Sequence, residues 1–269
     1  MIVRLAFKNI IGSGIRTWSN VSIIAIVFFL ILWTMGIFVG WIGTAYRCTK
    51  AWEISGGQYI SDNFDRYDSF SYDDGHSDIP PELQLAISSG EAVPVLVSAA
   101  TIYPNMRMRS VLLKGISANQ NIIEFPSAKF AEYTGNAIPI ILGRFQAKNW
   151  GIAPGESMMM RWRDANGAFD ATEVELIAII DSKVPAIETG QVWMDYDKLL
   201  QVKQLSNQAT IIVMKDTPEK LIESKVWKFH TPAVLLIDLR NITIQKVSGA
   251  VLIFILLLFL AMIAIFDTQ

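Results

Sequence analysis

The stretch TWSNVSIIAIVFFLILWTMGIFVGWIGTAY, residues 17–46, contains no charged side chain. The hydrocarbon core of a bilayer is about 30 Å thick and is crossed by about 20 helical residues, so this stretch can span it even when tilted. Trp18 lies at one end and Trp41 and Tyr46 at the other, where amphipathic rings settle among lipid headgroups. The stretch therefore predicts a first transmembrane helix. A cleaved signal peptide is the alternative, although its apolar region is typically only roughly 7–15 residues long.

A second uncharged stretch, VSGAVLIFILLLFLAMIAIF, occupies residues 247–266 and has the minimum length for a span. The whole chain is 52% hydrophobic and 18% charged, against about 25% charged in an average soluble domain. Together these features predict an integral membrane protein with residues 267–269 as a cytoplasmic end. Small residues in the second span could let another helix approach closely, with lipid-facing filler as the alternative. They are Ser248, Gly249, Ala250, Ala261 and Ala264.

Basic residues before the first span predict the orientation. Arg4, Lys8 and Arg16 precede it with no acidic residue among them, and positive charge favours the cytoplasmic side. This places the N-terminus in the cytoplasm and residues 47–246 outside it. Arg4 and Lys8 share one helical face, so residues 1–16 suit a short amphipathic helix on the membrane surface. A disordered basic leader is the alternative.

The region 47–246 mixes strand and helix patterns and predicts an α+β domain. Alternating or β-branched runs indicate strands, Asn-Gly between two such runs indicates a hairpin, and proline at a first turn indicates a helix start. The predicted strands are Glu53–Ile60, Ala92–Ile102, Arg107–Lys114, Gln191–Met194 and Ala209–Met214. The predicted helices are Pro80–Ser88, Asp195–Lys203, one opening at Thr217-Pro218-Glu219, and one from about Leu235 into the second span; a loop covers 61–79, and Asn166-Gly167 turns a hairpin.

The sequence carries no recognisable reaction motif. It has no phosphate-binding loop, no H-E-x-x-H, no G-x-S-x-G and a single cysteine, Cys48, so we expect no catalytic, cofactor or metal site and a chain that is not an enzyme. A net charge of −2 gives no reason to expect nucleic-acid binding. The aspartates of 61–79 do not have calcium-loop spacing and indicate a solvated loop, with calcium as the alternative. Met158-Met159-Met160 indicates a strand, with soft-metal binding as the alternative.

Short motifs spread along the chain resemble one family. In order and spacing they are similar to the permease subunits of type VII ABC transporters, which are FtsX-like permeases with a MacB-like periplasmic core domain, the LolC/LolE permeases among them. The motifs are Leu5–Ile10 followed by Arg16-Thr17, Ser55–Ile60, Leu113–Ile116, Ile141–Arg144 followed by Trp150–Glu156, Glu175–Ile180, and Trp193–Asp195.

The resemblance implies a mechanical role in a bacterial inner membrane. A separate cytoplasmic ABC ATPase would hydrolyse ATP, and the spans would relay its motion to a periplasmic domain that moves lipoprotein, peptide or drug cargo. The implied partners are that ATPase, a second permease copy, a periplasmic partner or lipoprotein, and membrane lipids. Arg4, Lys8 and Arg16 are the candidate anchors near the ATPase. A continuous helix from about Leu235 to Phe266 would act as a lever, and a break between Arg240 and Ser248 would contradict that hypothesis.

The sequence departs from this family at its C-terminal side. Family permeases have four spans, whereas this sequence reaches Gln269 soon after its second. We expect either a truncated product or further spans on another polypeptide. The alternative function is a membrane-anchored extracytoplasmic ligand-binding or sensor module.

Overall fold

Two long apolar helices flank one folded domain. A computed structural model describes residues 14–222 and 224–268, and the chain divides into a unit of residues up to Tyr46 and from Ile237, and a second unit, Arg47–Leu236, which we call the domain. Helices α1 (Ile15–Thr49) and α8 (Ile237–Thr268) are long and apolar enough to cross a membrane by length and composition. Large apolar side chains are exposed along both helices, as expected for helices surrounded by lipid.

The domain contains strands, short helices and tight helical turns. Its strands are β1 (Gly57–Ser61), β2 (Ser77–Asp78), β3 (Ala92–Tyr103), β4 (Arg109–Ile116), β5 (Ile138–Gly143), β6 (Ser157–Arg163), β7 (Phe169–Ile180), β8 (Gln191–Asp195), β9 (Gln208–Ala209), β10 (Ile211–Met214) and β11 (Trp227–His230). Its helices are α2 (Pro81–Ser88), α3 (Ala128–Glu132), α4 (Arg144–Trp150), α5 (Pro185–Glu188), α6 (Tyr196–Lys203) and α7 (Pro232–Leu235), with a π-helical turn at Lys50–Ile54 and 3-10 turns at Ser69–Ser71 and Pro104–Met106.

Nine of the described strands form one mixed sheet, part of which closes on itself. Strand β6 pairs with β7 on one edge and with the end of β3 on the other, so β3, β4, β8, β5, β7 and β6 form a ring. The pairs β4–β8 and β5–β7 are parallel, and the other pairings in the ring are antiparallel. Alternate side chains from all six strands make one buried apolar cluster. Strands β10, β1 and β11 extend the sheet from the first half of β3.

Most predicted elements of the domain are confirmed. Helix α2, Pro81–Ser88, begins one residue after the predicted start at Pro80, and β3 covers the predicted strand and adds Tyr103. Strands β6 and β7 pair as a hairpin around Asn166-Gly167, and Gly167 has the positive φ of 84° that such a turn requires. The α+β fold class is therefore confirmed.

Two predicted elements are wrong. The strand predicted from Glu53 begins only at Gly57, because Lys50–Ile54 continues the helical path as a π turn. No helix opens at Thr217 within the described residues up to 222. Thr217 Oγ1 donates to Gly56 O at 2.6 Å, and the backbone N–H of Ile222 donates to the hydroxyl of Tyr59 at 3.0 Å. These bonds tie the segment to Gly56 and to Tyr59 of β1 in place of a helix.

Helix α8 contains the predicted span 247–266 and begins earlier, at Ile237. The domain unit therefore ends at Leu236. The domain predicted from the sequence, residues 47–246, extends further. The helix predicted from about Leu235 into the second span is interrupted: α7 ends at Leu235, Leu236 is a turn residue with φ −93° and ψ 6°, and α8 begins at Ile237.

Candidate functional site where the chain enters and leaves the domain

A buried ion pair fixes the turn through which the chain enters the domain. Glu53 lies on the π turn Lys50–Ile54, and Lys114 of β4 donates from Nζ to Glu53 Oε1 at 2.8 Å. Gln191 of β8 donates to the same oxygen at 3.3 Å, and Gln58 of β1 donates to the backbone oxygen of Glu53 at 2.8 Å. The Lys114 and Glu53 side chains are only 12% and 19% exposed, so each charge depends on the other for compensation.

Aromatic packing holds the same turn from a second side. Trp52 meets the ring of Phe125 edge-on at 6.5 Å, and Phe125 stacks on Trp193 at 4.4 Å. Lys114 Nζ lies 5.0 Å from the Trp193 ring centroid, close enough for a cation–π contact. Ile54, the last residue of the turn, is buried. The turn is therefore anchored by apolar and aromatic contacts as well as by the Glu53–Lys114 ion pair.

A chain reversal at Ser55-Gly56-Gly57 converts the helical turn into β1. Ser55 has a φ of 49° and donates its N–H to Lys50 O at 2.7 Å, which ends the helical path. A Cβ on Gly56 would overlap the backbone of Asp216, and Gly57 has a φ of 128°. Both glycines are thus required by the geometry, which gives a physical reason for the Ser-Gly-Gly sequence at this position.

The chain leaves the domain beside the point where it enters. Helix α7 contacts both β1 and the π turn, and Leu236, the last residue of the domain, is buried. His230 ends β11, directly before α7, and pairs with Gln58 of β1. Burial lowers the pKa of His230, and the charges of Arg66 and Lys228 lower it further. His230 is therefore neutral at neutral pH, and the two connections form one packed junction.

The junction is held together by one ion pair, hydrogen bonds and aromatic contacts. Glu53 and Lys114 compensate each other's charge, and no group of three or more His, Cys, Asp or Glu side chains that could hold a metal occurs in residues 14–222 and 224–268. What this arrangement can do is couple displacement of the incoming chain to β4 and β8, because Glu53 and Trp52 are anchored on those strands and on the residues packed against them.

The predicted anchors are not tested by the structure. Arg4 and Lys8 fall outside the described residues, and Arg16 is the second residue of α1. Their role near an ATPase stays a prediction. Sequence reasoning missed Glu53 and Lys114. The available signal was a single carboxylate soon after a long uncharged run, but nothing in the sequence pairs it with Lys114.

Comparisons with known proteins give distant structural likenesses. The extracellular domain of the ABC-type transporter YknZ from Gram-positive bacteria is 13% identical, with 58% of this chain and 80% of that chain covered and a TM-score of 0.35. The periplasmic region of MacB from Actinobacillus actinomycetemcomitans is 10% identical, with 69% of this chain and 93% of that chain covered and a TM-score of 0.43. No family model and no curated protein matches the sequence. Similarity at this level assigns neither an activity nor a partner to this chain.

Proposed function

We propose that this chain is a permease subunit of a MacB/LolCDE-type ABC transporter, which relays ATP-driven motion to its extracytoplasmic domain. One observation carries the proposal. The π turn Lys50–Ile54, which follows the first apolar helix in the sequence, is anchored within the domain by the Glu53–Lys114 pair and by Trp52. A domain that only has to be held at the membrane does not require its connection to the helix to be fixed by a buried, charge-compensated pair.

The second connection supports the same role. Helix α8 is uninterrupted from Ile237 to Thr268, so the break between Arg240 and Ser248 that would contradict a lever is absent. A helix transmits a push along its axis because each turn is fixed to the next by backbone hydrogen bonds. Leu236 separates α8 from α7, which contacts β1 and the π turn, and motion of the second span would pass to the domain through this residue.

The proposal includes partners, a location and an energy source. Since the sequence has no phosphate-binding loop, ATP hydrolysis belongs to a separate cytoplasmic ABC ATPase. Two apolar helices leave much apolar surface for lipids and for a second permease copy. The membrane is the bacterial inner membrane, with the N-terminus cytoplasmic and the domain periplasmic. The cargo is lipoprotein, peptide or drug, moved directly or handed to a periplasmic partner.

The test is a mild-detergent pull-down of the chain expressed from its complete native locus, with co-purifying proteins identified by mass. We expect a stoichiometric P-loop ATPase. Replacing Arg4, Lys8 and Arg16 by Gln should reduce its recovery, whereas replacing Arg107, Arg144 and Lys148 of the domain by Gln should leave it unchanged. Recovery of the chain alone or with a signalling protein would contradict the proposal and favour the anchored ligand-binding or sensor module.

A further inference from the structure

A groove of about 570 Å³ lies away from the junction, on the outer face of the ring. Its floor comes from β3, β4 and β6, where these strands run side by side. Ala99, Thr101 and Ser110 alternate along β3 and β4 with residues of the buried cluster, so they belong to the face turned away from the core. Three residues of the cluster also line the groove: Ala100, Val111 and Trp162. The floor side chains are small and polar or apolar: Ala99, Thr101 and Ser110.

One wall of the groove is a loop held in place by a buried network. Asp73 Oδ1 accepts from Ser98 Oγ at 2.8 Å, from the backbone N–H of Ala99 at 3.2 Å and from Lys203 Nζ at 3.0 Å. Lys203 is 1% exposed and also donates to Arg163 O at 2.6 Å. The negative charge of Asp73 is thus neutralised, and the loop lies fixed over β3, so this wall of the groove is formed before any ligand arrives.

The remaining walls are apolar and uncovered. Tyr72 and Tyr103 line the groove together with Met108 and Phe169, which are 66% and 65% exposed. Apolar side chains left in water around a concave surface mark a place where a ligand would gain free energy by covering them. The groove volume lies within the range of about 300–1,000 Å³ that is usual for small-molecule sites.

Positive charge stands at one side of this apolar surface. The guanidinium carbon of Arg161 lies 4.4 Å from the centroid of the Phe169 ring, close enough for a cation–π contact, and both residues line the groove. In the part of the chain that the structure describes, no carboxylate lies within ion-pair distance of Arg161. Arg163 also lines the groove, and its contact with Asp74 is long, 3.9 Å, and exposed. An anion bound in the groove would therefore have Arg161 as a cationic partner that no carboxylate of the described residues already neutralises.

We propose that this groove binds an amphipathic anion, a linear apolar chain that ends in a carboxylate or phosphate. The chain would cover Tyr72, Tyr103 and Met108, and the anionic head would meet Arg161 and Arg163. An extended peptide fits less well, because the backbone groups of a sheet face are already paired within the sheet and a buried peptide would leave its own unsatisfied. This binding needs no ATPase, so the proposal stands or falls separately from the transporter assignment.

The test is photolabelling of the full chain in nanodiscs of zwitterionic lipid. The probes are a dodecanoate and a dodecyl phosphate, each carrying a diazirine near the chain end, with the matching alcohol and trimethylammonium compounds as controls. We expect both anions to label peptides that contain Tyr72, Tyr103 or Met108, and the two controls to label them weakly. Comparing the carboxylate with the phosphate shows which head group is preferred.

Three variants separate the groove from general partitioning into lipid. Arg161→Gln should weaken anion labelling roughly tenfold in apparent Kd, the size of a lost charge-assisted hydrogen bond. Ser110→Phe, at an exposed floor position, should abolish it. Arg107→Gln, which removes the same charge from a neighbouring pocket, should change nothing. If Ser110→Phe fails to fold, the two arginine variants still decide the matter.

Three results would overturn the proposal. The first is labelling confined to residues 17–46 and 247–266. The second is equal labelling of the groove by the alcohol and the carboxylate. The third is labelling that a peptide with a free C-terminal carboxylate displaces and unlabelled dodecanoate does not.

Discussion

Glu53 and Lys114 are largely shielded from water by the fold, and the charge of each is compensated by the other. Removing one charge leaves the other uncompensated. We expect Lys114→Met to destabilise the domain by roughly 2 kcal/mol, below the 3–5 kcal/mol of a fully buried pair because both side chains keep some exposure. Lys129→Met, at an exposed position, is the matched control and should change stability little. The measurement is the denaturant midpoint of the full chain in nonionic detergent.

The double variant Glu53→Gln/Lys114→Met decides whether the two residues act as a pair. It should be more stable than Lys114→Met alone, since no unpaired charge remains. Effects of the single changes that simply add would show that the pair is not coupled.

Gly56 lies so close to another part of the backbone that a side chain at this position would overlap it. Gly56→Ala would push a Cβ into the backbone of Asp216, and we expect a loss of roughly 3 kcal/mol, at the upper end of overpacking costs. The control is Gly90→Ala, where the added Cβ meets nothing within 4 Å and only the positive φ of 77° opposes it. That change should cost about 1 kcal/mol. Equal Tm losses for the two variants would argue against the close approach.

The two histidines predict whether the stability of the folded chain rises or falls with pH. Burial lowers the pKa of both His76 and His230 below the ordinary 6.5. The unfolded chain then binds more protons than the folded one, so their contribution to stability is present above 6.5 and is lost as the pH falls through the folded pKa values. The Tm of the full chain should fall on acidification from about pH 7 to about pH 5. The variant His76→Asn/His230→Asn should lose much less, and an equally steep fall would contradict this assignment.

Local signals in the sequence identified elements, and long-range contacts decided the exceptions. Asn166-Gly167 and the apolar run of β3 predict their own structures because the turn and the alternation are local properties. Thr217-Pro218 carries an equally good helix-start signal, yet the hydroxyl of Thr217 is taken by Gly56 O, a residue far away in sequence. The spans could be read from length and charge alone. The Glu53–Lys114 junction could not, because no spacing rule connects two residues on elements that meet only in the fold.

At the scale of elements, α8 is expected to work through its continuity. Thr243→Pro would remove one backbone hydrogen bond and kink the helix at a cost of about 3 kcal/mol, whereas Thr243→Ala keeps the helix straight. With the proposed ATPase partner present, a spin label at Ser89→Cys in a Cys48→Ser background should report a change in the distance between two copies when a non-hydrolysable ATP analogue binds. Thr243→Pro should abolish that change while the ATPase still co-purifies. An unchanged response in the proline variant would remove α8 from the coupling route.

The apolar side chains of the two units are distributed differently. Large apolar side chains are exposed on α1 and α8, whereas those of the ring are inside, so the two units are suited to different solvents. In the proposed membrane protein the helices would lie in lipid and the domain in water. The side of the membrane on which the domain lies is then the remaining question, and the basic residues before α1 favour a cytoplasmic N-terminus.

That orientation can be tested with two single cysteines in a Cys48→Ser background. Ala165→Cys lies at the exposed tip of the β6–β7 hairpin, and Asn9→Cys lies on the other side of the first span in the sequence. In intact spheroplasts a membrane-impermeant maleimide should modify the cysteine at 165 and not the one at 9, and both should react after lysis. The cysteine-free chain controls for background labelling. Reversed labelling would invert the protein and would place the domain beside the cytoplasm, where a partner ATPase could not drive it through the spans; labelling of both sites before lysis would mean that the first helix does not cross the membrane at all.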